Sequence, residues 1–274
     1  SQTASHLLAP LLEQSAETPD EKRTQLHARL ASVGRDPSLI EPLVEELLTG
    51  KVAYIGPIRE LLKPHASQLS DGFWQLLSDE TAEANRRFRA GLALAEYSPP
   101  SESDTDTTSK SESDSPADLE SKTWTQPLFS FMAEQLVSAN AEFQPILRGL
   151  LRPIHHRLLP NLERVFGSDP SSEAQRLSAA NAFADYAASD LDRLSSLLAL
   201  ATPEQFDVIY PLVAANPTAA VTDYLAEIAA TVPPDDMGSV ERVPFGQRRA
   251  NAAVSLLRLG EPEKVLPVFN WTDD

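Results

Sequence analysis

The residues that could carry chemistry in this chain are few, and their spacings form no catalytic or metal-binding pattern. The histidines include a single adjacent pair, His155–His156. Adjacent helical residues point about 100° apart, whereas zinc ligands on one helix stand four residues apart, so we expect a structural role for the pair. Asp104-Thr105-Asp106 begins like a calcium loop, but Ser109 and Ser115 replace the required glycine and glutamate. We therefore predict no metal and no other cofactor.

The motifs of common enzyme classes are missing from the sequence. The chain has no cysteine, which excludes thiolate catalysis, disulfides and cysteine-based zinc sites. It has no Gly-x-Ser-x-Gly nucleophile elbow and no P-loop. Glycine is scarce, at 10 residues, which disfavours a nucleotide-binding α/β enzyme. We therefore predict that the chain is not an enzyme.

One segment is suited to covalent modification. Residues 98–122 are rich in Ser, Thr, Asp and Glu, with no large apolar residue from Pro99 to Pro116. Such a segment buries too little surface to offset its ordering entropy, so we predict an acidic linker or loop. Four serines lie beside acidic residues, as acidophilic kinases prefer, and phosphorylation there would add negative charge. These possible phosphoacceptors are Ser101, Ser103, Ser111 and Ser113. The alternative is a plain solvated linker.

The charge balance restricts the partners. The formal net charge is −17, and such a surface repels nucleic-acid backbones and anionic membranes. No apolar run approaches the length of a membrane span, and the N-terminal residues lack a signal-peptide pattern. We therefore predict a protein partner, no nucleic acid, no membrane insertion and a cytoplasmic location, with an exported location as the alternative.

The elements that must position any site are predicted to be helices. Apolar residues at helical spacing run from Leu39 to Leu48, with Asp36 as a candidate N-cap, Pro37 in the first turn and Gly50 as a stop. The best strand candidate is the short run from Val52 to Ile55.

Three segments of the sequence resemble one another: 84–97 (ANRRFRAGLALAEY), 173–186 (EAQRLSAANAFADY) and 246–259 (GQRRANAAVSLLRL). The upstream segments 57–64 (PIRELLKP) and 145–153 (PILRGLLRP) also match. Alanine at equivalent positions lets helices approach closely, and we expect each arginine to pair with a carboxylate or a helix end. The alignment places these structural repeat positions in register: Arg87, Arg176 and Arg249, then Ala90, Ala179 and Ala252.

Recurring helical blocks are typical of an α-solenoid. We therefore predict an all-α fold, a HEAT-like α-solenoid of irregular repeats with one acidic insertion. Its parts are residues 1–97, an N-terminal helical block, residues 98–122, the acidic segment, and residues 123–274, a C-terminal block continuous with the first. We expect core positions for Trp74, Phe88, Phe183 and Phe245, and inter-helix junctions at Arg86, Arg87, Arg176, Arg248 and Arg249.

The stretch from Val243 to Val254 (VPFGQRRANAAV), followed by Leu257-Arg258-Leu259-Gly260 and Glu263-Lys264-Val265, resembles the HEAT-like helical region of large bacterial multidomain proteins. In that group, such regions accompany Ser/Thr-kinase-like domains or domains similar to formylglycine-generating enzymes. The resemblance covers about residues 205–270. It implies a regulatory or linking fragment of a longer protein and transfers no catalytic residue, because the kinase motifs and a cysteine are missing from this sequence.

Three functions follow as hypotheses. The first is a non-catalytic protein-interaction or regulatory scaffold from a bacterial signalling protein, with flanking domains of the same parent chain as possible partners. The alternative is a small-ligand-binding or sensory helical domain, which would need an enclosed pocket with convergent polar groups. A HEAT-like DNA glycosylase-type enzyme is disfavoured, because it would need a basic groove.

Overall fold

The computed structural model describes residues 24–25, 36–100, 122–167, 170–234 and 236–266. Every regular element in these residues is a helix, so the predicted all-α class is confirmed for the described chain, while the solenoid arrangement stays a prediction. The α-helices are α1 (Ile40–Thr49), α2 (Val52–Leu62), α3 (Ala66–Ser78), α4 (Ala84–Tyr97), α5 (Gln126–Ser138), α6 (Gln144–Leu151), α7 (His155–Phe166), α8 (Glu173–Tyr186), α9 (Leu191–Leu200), α10 (Pro203–Ala215), α11 (Ala219–Ala230) and α12 (Ser239–Arg258). Short 3-10 turns occupy Pro37–Leu39, Lys63–His65, Arg152–Ile154 and Pro262–Lys264.

The helices form two compact units, and the chain passes between them more than once. The first unit contains the described residues of Ser1–Met132 and Pro145–Ile154. The second contains those of Ala133–Gln144 and His155–Asp274. These limits differ from the predicted division at residues 98–122, most of which lie outside the described residues. That division stays a prediction.

The predicted start and stop of the first helical stripe are confirmed. The Asp36 carboxylate accepts a hydrogen bond from the Ser38 backbone N–H at 3.0 Å and caps the 3-10 turn that leads into α1, with Pro37 in its first position. Gly50 follows the last residue of α1, and its N–H donates to the carbonyl oxygen of Glu46 at 2.7 Å.

The strand candidate was wrong: Val52 to Ile55 form the first turn of α2. Ile55, Ile58 and Leu62 lie at helical spacing, and each of them is at most 1% exposed to solvent. The preference of β-branched residues for strands depends mainly on how their side chains pack. Burial of one face of the helix therefore outweighs the strand preference of Val52 and Ile55.

Helix α4 occupies the centre of the first unit and packs against α1 and α3. All its residues from Phe88 to Ala95 are buried, including Gly91. A Cβ atom at Gly91 would lie 2.5 Å from the Met132 sulfur, so glycine is what permits the close approach of α5. The core positions predicted for Trp74 and Phe88 are confirmed, at 3% and 5% exposure.

The residues that flank the acidic segment lie close together in the first unit. The Trp124 indole N–H donates to the carbonyl oxygen of Ser98 at 2.8 Å, and its ring centroid lies 5.4 Å from that of Trp74. Lys122 forms an ion pair with Asp71 at 2.9 Å. The described residues on either side of the acidic segment therefore lie next to one another in this unit.

The second unit is held by helix pairs α7–α8, α8–α10, α9–α12 and α11–α12. Capping boxes begin two of its helices: Ser172 with Gln175 at α8, and Thr202 with Gln205 at α10. Phe183 of α8 is fully buried, as predicted.

Candidate functional site

Helix α12 is anchored to the second unit by one face and two amide side chains. The Asn251 side-chain amide donates to the carbonyl oxygens of Ala199 at 3.2 Å and Ala201 at 2.8 Å, and the Gln247 amide also donates to Ala201 at 3.0 Å. These carbonyls lie at the end of α9, where no further helical N–H groups are available. The buried face itself consists of Ala252, Ser255 and Leu256.

The opposite face of α12 is apolar and exposed to solvent. Its apolar side chains follow one another at intervals of three, seven, four and three residues, which places them on one side of the helix. We call this the outer face of α12, and it consists of Val240 (84% exposed), Val243 (72%), Ala250, Val254 (42%) and Leu257 (48%). Exposed apolar side chains grouped on one side of a helix are typical of a protein-interaction site.

The core position predicted for Phe245 was wrong, because this side chain is only partly buried. The residues from Ser239 to Pro244, at the beginning of α12, are exposed, so this part of the helix has little to pack against. The Phe245 ring instead lies 5.9 Å from the Arg249 guanidinium carbon and lines a cavity of about 170 Å³. Arg248, Thr231 and the α11 residues Tyr224, Glu227 and Ile228 complete the lining.

Arginines give α12 a local charge opposite to that of the whole chain. The helix contains four arginines and one glutamate, in a protein of net charge −17. Within the described chain, no carboxylate forms an ion pair with Arg242, Arg248 or Arg258. Arg258 instead lies over the rings of Phe206 and Tyr210, at 5.4 and 5.3 Å.

Two of the three aligned arginines make the same kind of contact. Arg87 Nε donates to the carbonyl oxygen of Leu77, and Arg249 Nε donates to that of Ala229, both at 3.1 Å. Each acceptor is the penultimate residue of the preceding helix, α3 or α11. Arg176 differs: its Nε is buried with no hydrogen-bond partner among the described residues.

The three aligned alanines, Ala90, Ala179 and Ala252, are fully buried. Arg86 forms a two-point ion pair with Glu45, at 2.7 and 3.0 Å, and so joins α4 to α1. The hydrogen bond from Arg86 holds the pKa of the Glu45 carboxyl below its usual value.

Sequence reasoning missed Arg59 and Arg89, the two most buried arginines among the described residues. Arg59, at 7% exposure, donates to the carbonyl oxygens of Leu92 and Leu150, and Arg89, at 6%, donates to those of Leu47 and Gly50. Burial lowers the pKa of both guanidinium groups. A signal for Arg59 was present, because it lies between Ile55 and Leu62 on the buried stripe of α2.

The remaining candidate residues do not come together. The rings of His155 and His156 meet edge to face at 5.6 Å, and the His155 ring also lies 5.6 Å from that of Tyr186. Within the described ranges, no cluster of three or more His, Asp or Glu is suited to hold a metal ion. The possible phosphoacceptors Ser101, Ser103, Ser111 and Ser113 lie outside the described residues.

A larger groove, of about 430 Å³, lies beside the first turns of α8 and is lined by serine, glutamine and asparagine side chains together with alanine, valine and leucine. Several of its polar groups bond to one another or to the backbone. The Gln175 amide donates to the Ser138 hydroxyl at 2.9 Å, and the Gln144 amide donates to the carbonyl oxygen of Ala139 at 3.0 Å. Both of these amides are thus engaged by neighbouring groups of the protein.

None of the described helices combines the length and the apolar character required to cross a membrane. Comparison of the chain with protein-family models, with curated proteins and with solved structures gave no match.

Proposed function

We propose that this chain is a non-catalytic protein-binding scaffold whose outer face of α12 binds a helix of a partner protein. The main observation in support of this proposal is that Val240, Val243, Val254 and Leu257 are exposed on one side of an anchored helix. Burying one such side chain contributes roughly 1–2 kcal/mol, so four of them supply a useful binding free energy. Val240 and Val243 are three residues apart, as are Val254 and Leu257, and residues at this spacing lie side by side on a helix face.

Under this proposal the chain works as a regulatory region of a larger bacterial signalling protein in the cytoplasm. A helix in a flanking domain of the same parent chain would then be the partner. Two features support a HEAT-like repeat architecture. First, Arg87 of α4 and Arg249 of α12 each donate a hydrogen bond to the penultimate carbonyl of the preceding helix. Second, the aligned alanines are buried. Solenoid repeats expose faces against which further helices stack.

A selection experiment tests the proposal. A displayed library of amphipathic helical peptides is selected against the whole chain, and the dissociation constants of the selected peptides are measured. The double variant Val243→Ser/Val254→Ser removes two apolar groups from the outer face, and we expect it to weaken binding by at least about tenfold.

The matched control is Ile146→Ser, which removes an exposed apolar side chain, 39% exposed, from α6 in the first unit. It should leave the affinities unchanged. If the library yields no saturable binder, or if the selected peptides bind the double variant as tightly as the wild type, the proposed function is wrong.

A further inference from the structure

We infer that the cavity of about 170 Å³ between α11 and α12 binds a small apolar amino acid in its zwitterionic form. The cavity is separate from the outer face of α12, because none of the residues that line it belongs to that face. Its volume equals that of about five or six water molecules. A compact ligand with a short side chain therefore fits it.

The cavity lies between one side of α11 and one side of α12. On each helix, the second and third lining residues follow the first by three and four positions, which places all three on the same side of that helix. The lining residues are Tyr224, Glu227 and Ile228 on α11, and Phe245, Arg248 and Arg249 on α12. Glu227 and Arg248 are exposed to solvent, so a ligand can reach the cavity.

Glu227 and Arg248 bring opposite charges to the same cavity. Within the described chain, neither side chain forms an ion pair, with the other or with a third group. Elsewhere in the second unit, opposite charges do pair directly, as Lys264 and Asp223 do at 2.8 Å. The cavity thus presents one negative and one positive group, and a ligand that carries an ammonium group and a carboxylate complements both.

Arg249 strengthens the positive side of the cavity. Its Nε donates to the carbonyl oxygen of Ala229 at 3.1 Å, and its guanidinium carbon lies 5.9 Å from the centroid of the Phe245 ring. These contacts hold the guanidinium group at the wall of the cavity. A second fixed positive charge beside Arg248 favours the carboxylate of the ligand.

The end of α11 strengthens the negative side. The last carbonyl groups of a helix carry partial negative charge, which favours a cation there. Thr231 follows the last residue of α11, and its hydroxyl donates to the backbone carbonyl of Glu227 at 2.8 Å. The lone pairs of this hydroxyl remain acceptors for the ammonium group of the ligand.

The remaining walls determine the side chain of the ligand. Ile228 is buried and Phe245 is partly buried, so the cavity has an apolar part next to its charged groups. A short aliphatic side chain, such as that of valine, gains most from this part because it removes apolar surface from water.

A simple anion such as phosphate complements the cavity less well. It would meet the Glu227 carboxylate as well as the guanidinium groups, and the net charge of −17 repels it at longer range. A zwitterion carries no net charge, so the overall charge of the protein does not oppose its approach.

The test compares L-valine with two analogues of similar shape that each lack one charge. Isovalerate lacks the ammonium group, and isobutylamine lacks the carboxylate. Isothermal titration calorimetry with the whole chain gives the dissociation constants. We expect L-valine to bind with a dissociation constant of at most about 1 mM, and each analogue to bind at least about tenfold more weakly.

Neutral variants assign the two contacts. Arg248→Gln should abolish the preference for L-valine over isobutylamine, and Glu227→Gln should abolish the preference for L-valine over isovalerate. The matched controls Arg242→Gln and Glu241→Gln each remove one charge from α12 outside the cavity, and they should leave the affinity for L-valine unchanged. Unchanged thermal unfolding of each variant without ligand shows that the fold is intact.

Several results would overturn the inference. These are a lack of saturable L-valine binding at millimolar concentration, equal affinities for L-valine and its analogues, or equal effects of Arg242→Gln and Arg248→Gln. Phosphate that binds more tightly than L-valine, and does so through Arg248, would assign the cavity to an anion instead. Peptide binding to the outer face of α12 is measured separately, so failure of the cavity proposal leaves the proposed function standing, and the reverse also holds.

Discussion

Arg59 donates a hydrogen bond of 2.7 Å to the carbonyl oxygen of Leu150, a residue 91 positions away in the sequence. The same guanidinium donates to Leu92 at 3.1 Å and lies 3.7 Å from the Glu96 carboxylate. Its side chain is almost completely buried, so these contacts replace water that cannot reach it. One side chain thereby joins α2, α4 and α6 within the first unit.

Arg59→Met is expected to lower the free energy of unfolding by about 3 kcal/mol, because two buried carbonyl groups lose their donor. Arg86→Met removes only an ion pair with substantial solvent exposure and should cost less than about 1 kcal/mol. Urea unfolding, followed by tryptophan fluorescence, measures both, since Trp74 and Trp124 belong to the first unit. Equal losses in the two variants would contradict the role assigned to Arg59.

The burial of Tyr97 predicts that the folded protein loses stability in alkaline solution. Its hydroxyl donates to the carbonyl oxygen of Arg59 at 2.7 Å, and burial raises its pKa above the ordinary value of 10.0. Above pH 10 the unfolded chain releases this proton while the folded chain keeps it, so the free energy of unfolding falls as the pH rises. The contribution is up to about 1.4 kcal/mol per pH unit.

Tyr97→Phe should therefore reduce the alkaline slope of the unfolding free energy, while losing about 1 kcal/mol at neutral pH with the hydrogen bond. Urea unfolding at several pH values from 7 to 11 provides the comparison. Identical slopes for the wild type and the variant would argue against a raised pKa at Tyr97.

Two alanines of α12 provide a matched pair. Ala252 is fully buried and Ala250 is exposed on the outer face. Ala252→Leu should destabilise the second unit by about 1–3 kcal/mol, since a packed interface has no room for three more carbons. Ala250→Leu should change stability by less than about 0.5 kcal/mol and enlarge the apolar face. Thermal unfolding measured by circular dichroism distinguishes these outcomes, and the reverse order would mean that the two faces of α12 are misassigned.

The two capping boxes should contribute unequally. Gln205 is 1% exposed, and its amide also donates to the carbonyl oxygens of Phe166 at 3.0 Å and Arg176 at 3.2 Å. Outside its capping box, Gln175 bonds within the described chain only to the Ser138 hydroxyl. Gln205→Ala should cost about 2–3 kcal/mol and Gln175→Ala about 1 kcal/mol. Urea unfolding followed by circular dichroism measures both costs. If Gln205→Ala cost less stability than Gln175→Ala, the hydrogen bonds of the Gln205 amide to the neighbouring helices would not contribute as proposed.

Local patterns predicted the local structure well. The 3.6-residue spacing of Leu39 to Leu48, Asp36 before Pro37, and Gly50 together predict one helix with its cap and its end, because each signal acts within a few residues. The strand prediction for Val52 to Ile55 failed for the same reason. The segment is helical because Ile58 and Leu62 are buried, and these two residues lie beyond the short run on which the prediction was based.

The candidate surface could not be predicted in the same way. Helix α12 has apolar residues on two sides, with Ala252 and Leu256 on one and Val243 and Val254 on the other. Sequence periodicity gives two apolar faces but does not say which one meets α9 and α11. Phe245 was placed in the core because aromatic residues usually lie there, yet the exposed beginning of the helix leaves it at the edge of a cavity. The buried arginines were missed because their acceptors, such as Leu150, are distant in sequence.

The interleaving of the two units has a consequence for synthesis of the protein. The acceptor of Arg59 in α6 is synthesised 91 residues after Arg59, and after a segment that belongs to the second unit. A nascent chain that has only reached Ser138 lacks the helix that completes the first unit. The first unit therefore acquires its native contacts on the ribosome only when α6 has emerged, by which time the first residues of the second unit have also been made.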